Sequence, residues 1–217
     1  MRDQFHEELD AVGATLVQMA SLVKVAMESA TTSLLTADLA LAEKVIQEDS
    51  IINGMQHELD ARTINLIARQ QPVAADLRTL VTSLRMSADL ERMGDLADHV
   101  AKTARMRFPS TAVPPELSLT IEEMGRVCGK IIEKMAVTLE TRDTELALEL
   151  EKDDDEMDKL HRKIISTLLE PNWKHGVETA IDMTLLARYY ERCADHAVSI
   201  ARRVYFLVKG EFASDAK

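Results

Sequence analysis

Turn-forming residues are scarce in this chain, with 7 glycines and 5 prolines among 217 residues. So little punctuation excludes a strand-and-turn architecture and leaves long, uninterrupted helices. Aromatic residues make up only 4%, and Leu, Ala, Met and Val dominate, a set that suits interdigitated helices. Two cysteines, Cys128 and Cys193, are too few for a disulfide framework and fit a reducing compartment. Bases fall short of acids, 26 against 37, for a net charge of −11. Both halves are acidic and neither carries a basic arm, which argues against nucleic acid as a partner and favours cations and basic protein surfaces. There is no signal-peptide pattern and no run of about 18 apolar residues. The expectation is a cytoplasmic chain without a membrane span.

Helical periodicity is what the chain has in abundance. Leu9, Val12, Leu16, Met19, Val23 and Met27 predict a first helix from about Asp3 to Leu35. Asp38 is placed to cap a second helix, which carries Leu41, Val45, Ile52, Met55, Leu59 and Leu66 and ends before Pro72. A third runs from Val73 to about Arg107, a fourth from about Ser118 to Glu140. A fifth carries Leu146, Leu150, Met157, Leu160, Ile164 and Leu168, and a sixth spans Val177 to about Lys209, followed by Gly210 and a polar tail. The fold class is all-α. Residues 1–107 form one antiparallel three-helix bundle, 108–117 a Pro-rich joint, and 118–217 a second bundle.

The halves repeat each other. Glu91-Arg92-Met93-Gly94-Asp95-Leu96-Ala97 returns 100 residues later as Glu191-Arg192-Cys193-Ala194-Asp195-His196-Ala197. In the second and fifth helices the offset is 105, matching Asp49-x-x-Ile52-Asn53-x-Met55 with Asp154-x-x-Met157-Asp158-x-Leu160. Each copy of the first motif sets two carboxylates at i and i+4, side by side on one helix face. On a helical wheel Met86, Leu90, Met93, Ala97 and Val100 form the packed stripe, while Glu91, Asp95 and Asp98 lie roughly opposite. The sixth helix repeats this with Tyr190, Cys193, Ala197, Ile200 and Val204 against Glu191 and Asp195. The acids are therefore expected to point outward, at a site open to solvent.

Two readings of these acids compete. Arg92–Asp95, Asp98–Lys102, Arg188–Glu191 and Arg192–Asp195 all have the spacing of helical salt bridges, so a solvated charged face explains any one acid. Cation binding explains why a like-charged pair, itself slightly unfavourable, is written twice. Carboxylate ligands suit hard ions: magnesium, calcium, manganese or iron. His99 and His196 adjoin the motifs and could join a site. The paired Glu-x-x-His of di-iron bundle cores is missing, as are phosphate loops and nucleophile elbows, which speaks against an enzyme. Glu149 to Asp158 holds seven acids in ten residues and reads mostly as a solvated face.

Several stretches together resemble the PhoU family of phosphate-signalling regulators. They are Gln71-Pro72-Val73-Ala74-Ala75-Asp76-Leu77-Arg78, Asp89-Leu90-Glu91-Arg92-Met93-Gly94-Asp95 and Tyr190 to Ala197. The resemblance covers nearly the whole chain, including the Asp49/Asn53 and Asp154/Asp158 pairs. It implies two bundles related by a pseudo-twofold, with multinuclear iron or zinc sites at the acidic motifs. The ligands it implies are Glu91, Asp95 and Asp98 in one half, Glu191 and Asp195 in the other, with Asp49, Asp154 and Asp158 alongside. Val198 stands where the first copy has Asp98, which makes the second site leaner. The implied role is negative regulation of the phosphate-starvation response without catalysis. The implied partners are the ATPase subunit of a phosphate ABC transporter and a phosphate-sensing histidine kinase, with homodimerisation left open. A metal-dependent enzyme and a passive helical scaffold are the alternatives.

Overall fold

The computed structural model describes residues 2–211, with side chains from Gln4 onward; the polar tail lies largely outside them. Among these residues there are six helices and no strand: α1 (Arg2–Thr36), α2 (Leu39–Gln70), α3 (Ala74–Arg107), α4 (Pro115–Thr141), α5 (Thr144–Leu168) and α6 (Gly176–Lys209). The ends follow local chemistry. Ala37 and Arg142 take left-handed φ values of 51° and 57° to turn the chain, and each is followed by an aspartate cap. Asp38 accepts from Leu41 N at 3.0 Å, and Asp143 from Glu145 N at 2.8 Å and Leu146 N at 3.2 Å. Helix α4 starts at Pro115, earlier than the expected Ser118, because proline's fixed φ suits the first helical position.

Packing follows the repeat. Helix α1 lies against α2, α3 and α4; by symmetry α4 lies against α5, α6 and α1, and α3 against α6. α1 and α4 thus form one layer and α3 and α6 the opposite layer, with α2 and α5 on the flanks. These are two antiparallel three-helix bundles related by a pseudo-twofold, and a single hydrophobic cluster runs through both. The expected stripes are inside: Leu90, Met93, Ala97, Val100, Tyr190, Ala197 and Ile200 have no exposure. Burying each large apolar side chain contributes about 1.5–3 kcal/mol.

The seam between the halves is close. A Cβ on Gly125 would stand 2.5 Å from Thr31 Cγ2, so only glycine lets α4 approach α1 here. Thr31 Oγ1 donates to Met27 O, which leaves the Tyr190 hydroxyl to donate to Thr31 at 2.8 Å. Cys128 and Cys193 are free and fully buried. The neighbouring Cys128 thiol and burial hold the Cys193 thiol well above its usual range, so it packs as a small apolar group. Helix α1 does contain a segment apolar and long enough to cross a membrane, with mean hydropathy 1.4. A core helix passes that test too, and the buried face from Val12 to Leu34 is covered by three neighbouring helices.

Candidate metal centres: two acidic clefts

Each half brings its acids together in the groove between its second and third helices. In the first, Asp49 and Asn53 on α2 face Glu91, Asp95 and Asp98 on α3. Gly94 sets the spacing, since a Cβ there would meet Ile52 Cδ1 at 3.1 Å and Asp49 Oδ1 at 3.3 Å. Asn53 Nδ2 donates to Asp49 Oδ2 at 2.9 Å. Burial, then the charges of Asp95 and Asp98, push the Asp49 carboxyl up, and Glu91 rises through burial and Asp95. In the second, Asp154 and Asp158 on α5 face Glu191 and Asp195 on α6. Burial, Asp195, Asp158 and Glu191 push Asp154 up to about 6. Glu191 rises through burial and Asp195.

Most of the acids are not outward-facing, as the helical wheel suggested. The side chain of Asp98 is 7% exposed, that of Glu191 13% and that of Glu91 25%, while Asp195 stays open at 41%. The flank of α3 that carries these acids is not solvent, because α2 packs there beside α1, and α5 does the same to α6. A wheel drawn for one helix cannot register the second neighbour. All four expected salt bridges are nevertheless present: Arg92–Asp95 at 3.0 Å, Lys102–Asp98 at 2.5 Å, Arg192–Asp195 at 3.4 Å, and Arg188–Glu191. Glu48 and Asp153, one position before the cleft aspartates, project toward solvent and pair with Lys44 and Lys134.

The salt bridges leave a remainder. Asp49 Oδ1, Asp98 Oδ1, Asp154 Oδ1 and Glu191 Oε2 are buried without a hydrogen-bond donor. An unpaired buried carboxylate oxygen is costly, and a cation would supply a partner for such oxygens. The donor set is carboxylate oxygen, which fits iron, manganese or magnesium better than zinc. Among the described residues, no three acid, histidine or cysteine side chains already converge as a metal-holding group. The donors fit in chemistry, and a bound ion would have to draw them onto a common point.

Neither expected histidine joins a cleft. His99 stacks on Tyr189 with ring centroids 5.2 Å apart. His196 Nδ1 lies 3.0 Å from Asp89 Oδ1, on the α3–α6 contact. Asp89 also accepts from Ser199 at 3.2 Å and Arg203 at 3.2 Å. Burial opposes its ionisation, but His196 and Arg203 outweigh this and hold its carboxyl below the usual range. The histidines nearest the clefts are others. His57 favours the ionised form of Glu91, and His161 that of Glu191. Helical spacing contains that signal: Asp49, Asn53 and His57 share one face at i, i+4 and i+8.

Duplicated three-helix bundles, each with an acid-lined groove, define the class of protein. The PhoU domain matches residues 16–104 and again residues 121–204, so the chain belongs to the PhoU family and carries its domain twice. It is 45% identical over 212 residues to the phosphate-specific transport system accessory protein PhoU homolog 2 of Mycobacterium tuberculosis, covering 98% of this chain and 100% of that one. PhoU homolog 1 of Mycobacterium leprae is 45% identical over 215 residues, covering 99% and 97%. The crystal structure of PhoU from Pseudomonas aeruginosa superposes with a TM-score of 0.86 at 29% identity, covering 95% of this chain and 100% of that one.

Proposed function

We propose that this chain is an accessory regulator of phosphate transport. It represses the phosphate-starvation response when phosphate is ample, linking the ATPase subunit of a phosphate ABC transporter to a sensor histidine kinase on the cytoplasmic side. It acts by contact, as a monomer or a homodimer, and not by turnover. The observation that carries this reading is the match, over 98% of the chain, to accessory proteins named for the phosphate-specific transport system. The chemistry agrees: the two thiols are fully buried, and the clustered acids lie in grooves between packed helices rather than beside a nucleophile.

In this reading the clefts hold a metal ion: the family resemblance offers iron or zinc, and the all-carboxylate donors favour iron, with magnesium or manganese as further candidates, over zinc. Asp49, Glu91, Asp95 and Asp98 would hold the ion in the first, and Asp154, Asp158, Glu191 and Asp195 in the second. A bound ion would neutralise the crowded carboxylates and clamp each flanking helix to the α3–α6 layer. Deleting the gene should leave phosphate-response genes switched on in ample phosphate, measured by transcript level. Normal repression in a strain lacking every copy would overturn the role.

A further inference from the structure

Three depressions lie end to end in the groove between α1 and α2, with walls from those two helices alone. Their volumes are about 140, 370 and 520 Å³, widening toward the start of α1 and the end of α2. Neighbouring depressions share wall residues: Ile51 belongs to the first and second, Glu58 and Arg62 to the second and third. They form one continuous channel. Its α1 wall carries Glu8, Thr15, Gln18, Leu22, Val25 and Ser29. Its α2 wall carries Glu48, Ile51, Met55, Glu58, Arg62 and Arg69. Both walls step by three, four or seven residues, the spacing of a helix that receives another helix. The narrow end is apolar and open, with Val25 55% and Ile51 50% exposed.

The second repeat closes the same groove. The 105-residue offset extends to α1 and α4, since Thr36-Ala37-Asp38 returns as Thr141-Arg142-Asp143. Across the α4–α5 groove Lys134 reaches Glu149 at 3.0 Å and Asp153 at 2.7 Å, and Arg126 reaches Glu156 at 3.6 Å. The first repeat has Ser29 for Lys134, Ser21 for Arg126 and Ile51 for Glu156. A serine cannot span the groove, so Glu48 turns to Lys44 on its own helix at 3.9 Å. Among the described residues the one ion pair across the α1–α2 groove is Arg62–Glu8. An open groove is therefore not something the fold requires.

Shape and charge select the occupant. A flat membrane cannot enter a channel between two helices, and a symmetric contact with a second copy would set hollow against hollow. A single helix fits. From Glu8 to Ser29 the wall runs roughly 32 Å at 1.5 Å per residue, about six helical turns. Leu22, Val25, Ile51 and Met55 call for an apolar stripe on the occupant. Glu58 and Arg69 line the channel without a hydrogen-bond or ion-pair partner among the described residues. They stand about three turns apart on one face of α2, so they call for a base and an acid at the same separation.

We propose that the α1–α2 channel docks one amphipathic helix of a partner protein, with an apolar heptad stripe and a base and an acid about three turns apart. The added helix makes the first three-helix bundle a four-helix one, while the strapped second bundle stays closed. This inference rests on the reading that the chain acts by contact. It assigns that contact to the side of α2 opposite Asp49 and Asn53, away from the first acidic cleft.

The probe is a synthetic amphipathic peptide of about 26 residues, with leucine at the heptad positions and one Lys and one Glu about three turns apart. Binding to the full chain is read by fluorescence anisotropy, and one peptide per chain is expected. Ser21→Arg with Ser29→Lys and Ile51→Glu writes the second repeat's straps into the first. This triple variant should weaken binding about tenfold or more and keep the wild-type urea midpoint, which separates lost docking from lost folding. Glu58→Lys should weaken binding about tenfold, and a peptide with Glu at both charged positions should recover it. Returned to a deletion strain, the triple variant should leave phosphate-response genes switched on in ample phosphate.

Equal binding by wild type and triple variant, or no effect of Glu58→Lys, would overturn the channel as the docking site. A wild-type chain that binds no peptide would overturn it too, and would leave the regulatory reading to stand or fall by gene deletion. Self-association of the chain, or capture by phosphatidylglycerol vesicles, that the triple variant abolishes would name a different occupant and overturn the proposal. Normal repression by a triple variant that no longer binds peptide would overturn the channel as a working surface and leave the adaptor reading intact.

Discussion

The two clefts hold the same number of carboxylates and balance them differently. Around Asp49, Glu91, Asp95 and Asp98 the first cleft sets an amide from Asn53 and an ammonium from Lys102. The second has Asp158 in place of Asn53 and Val198 in place of Asp98, and the counterpart of Lys102, Arg202, reaches out to Glu151 instead. Asp154 accordingly feels four acids, Asp195, Asp158, Glu191 and Asp155, with no opposing base among its chief neighbours. The third- and sixth-helix motifs alone, with Val198 for Asp98, suggest a leaner second site, but Asp158 restores the count. Unrelieved charge points the other way, because the more frustrated cleft gains more from a cation. Duplication has kept the cluster and let its counter-charges drift.

Metal content separates the two accounts. Glu91→Ala with Asp95→Ala, and Glu191→Ala with Asp195→Ala, should each remove about half the bound metal at saturation, as independent sites would. At limiting metal the second pair should cost more than the first, as read by elemental analysis after dialysis. Equal loss would show that counter-charge does not rank the clefts, and no loss in either would return the acids to a purely salt-bridged role.

Removing the differing bases is the next largest change. Lys102→Ala strands the buried Asp98 carboxylate and should cost about 1–3 kcal/mol, whereas Arg202→Ala breaks an exposed pair worth at most about 1 kcal/mol. Urea denaturation of both variants measures the difference. Similar costs would mean that Asp98 is rescued by solvent or by an ion.

Acidity should tell the clefts apart as well. With Asp154 raised to about 6, the folded metal-free protein binds more protons than the unfolded chain between the ordinary carboxylate range and that value. Its stability contribution therefore falls as pH rises through that window. Melting temperature should drop from pH 5 to pH 7 without metal, and less so in Asp154→Asn. Asp49 is also raised, but Asn53 opposes the shift, so Asp49→Asn should flatten the profile less. A pH-independent melting curve would show that the cleft acids are already relieved. The smallest effect is the direct exchange. Asn53→Asp should destabilise, and Asp158→Asn stabilise, the metal-free protein by roughly 0.2–0.5 kcal/mol, the scale of a like-charged helical pair.

Much of this architecture was legible in the sequence. Apolar spacing placed six helices and their buried stripes, because a 3.6-residue period is a property of each segment alone. The four salt bridges were legible for the same reason, being contacts within one helix. What crosses between helices was not. The second neighbour of α3 turns Asp98 from an outward acid into a buried one. His196 belongs to Asp89, and His57 to the cleft, through pairings that no single-helix wheel contains.

The continuous core has a meaning for ancestry. A lone half would leave bare the faces by which α1 meets α4 and α3 meets α6, so a single repeat would need a second copy to be covered. Joined through residues 108–114, the two halves cover each other within one molecule. Joining also frees the copies from identity: Gly125 is the close-contact residue on one side of the seam while Ala20 sits at the matching place on the other.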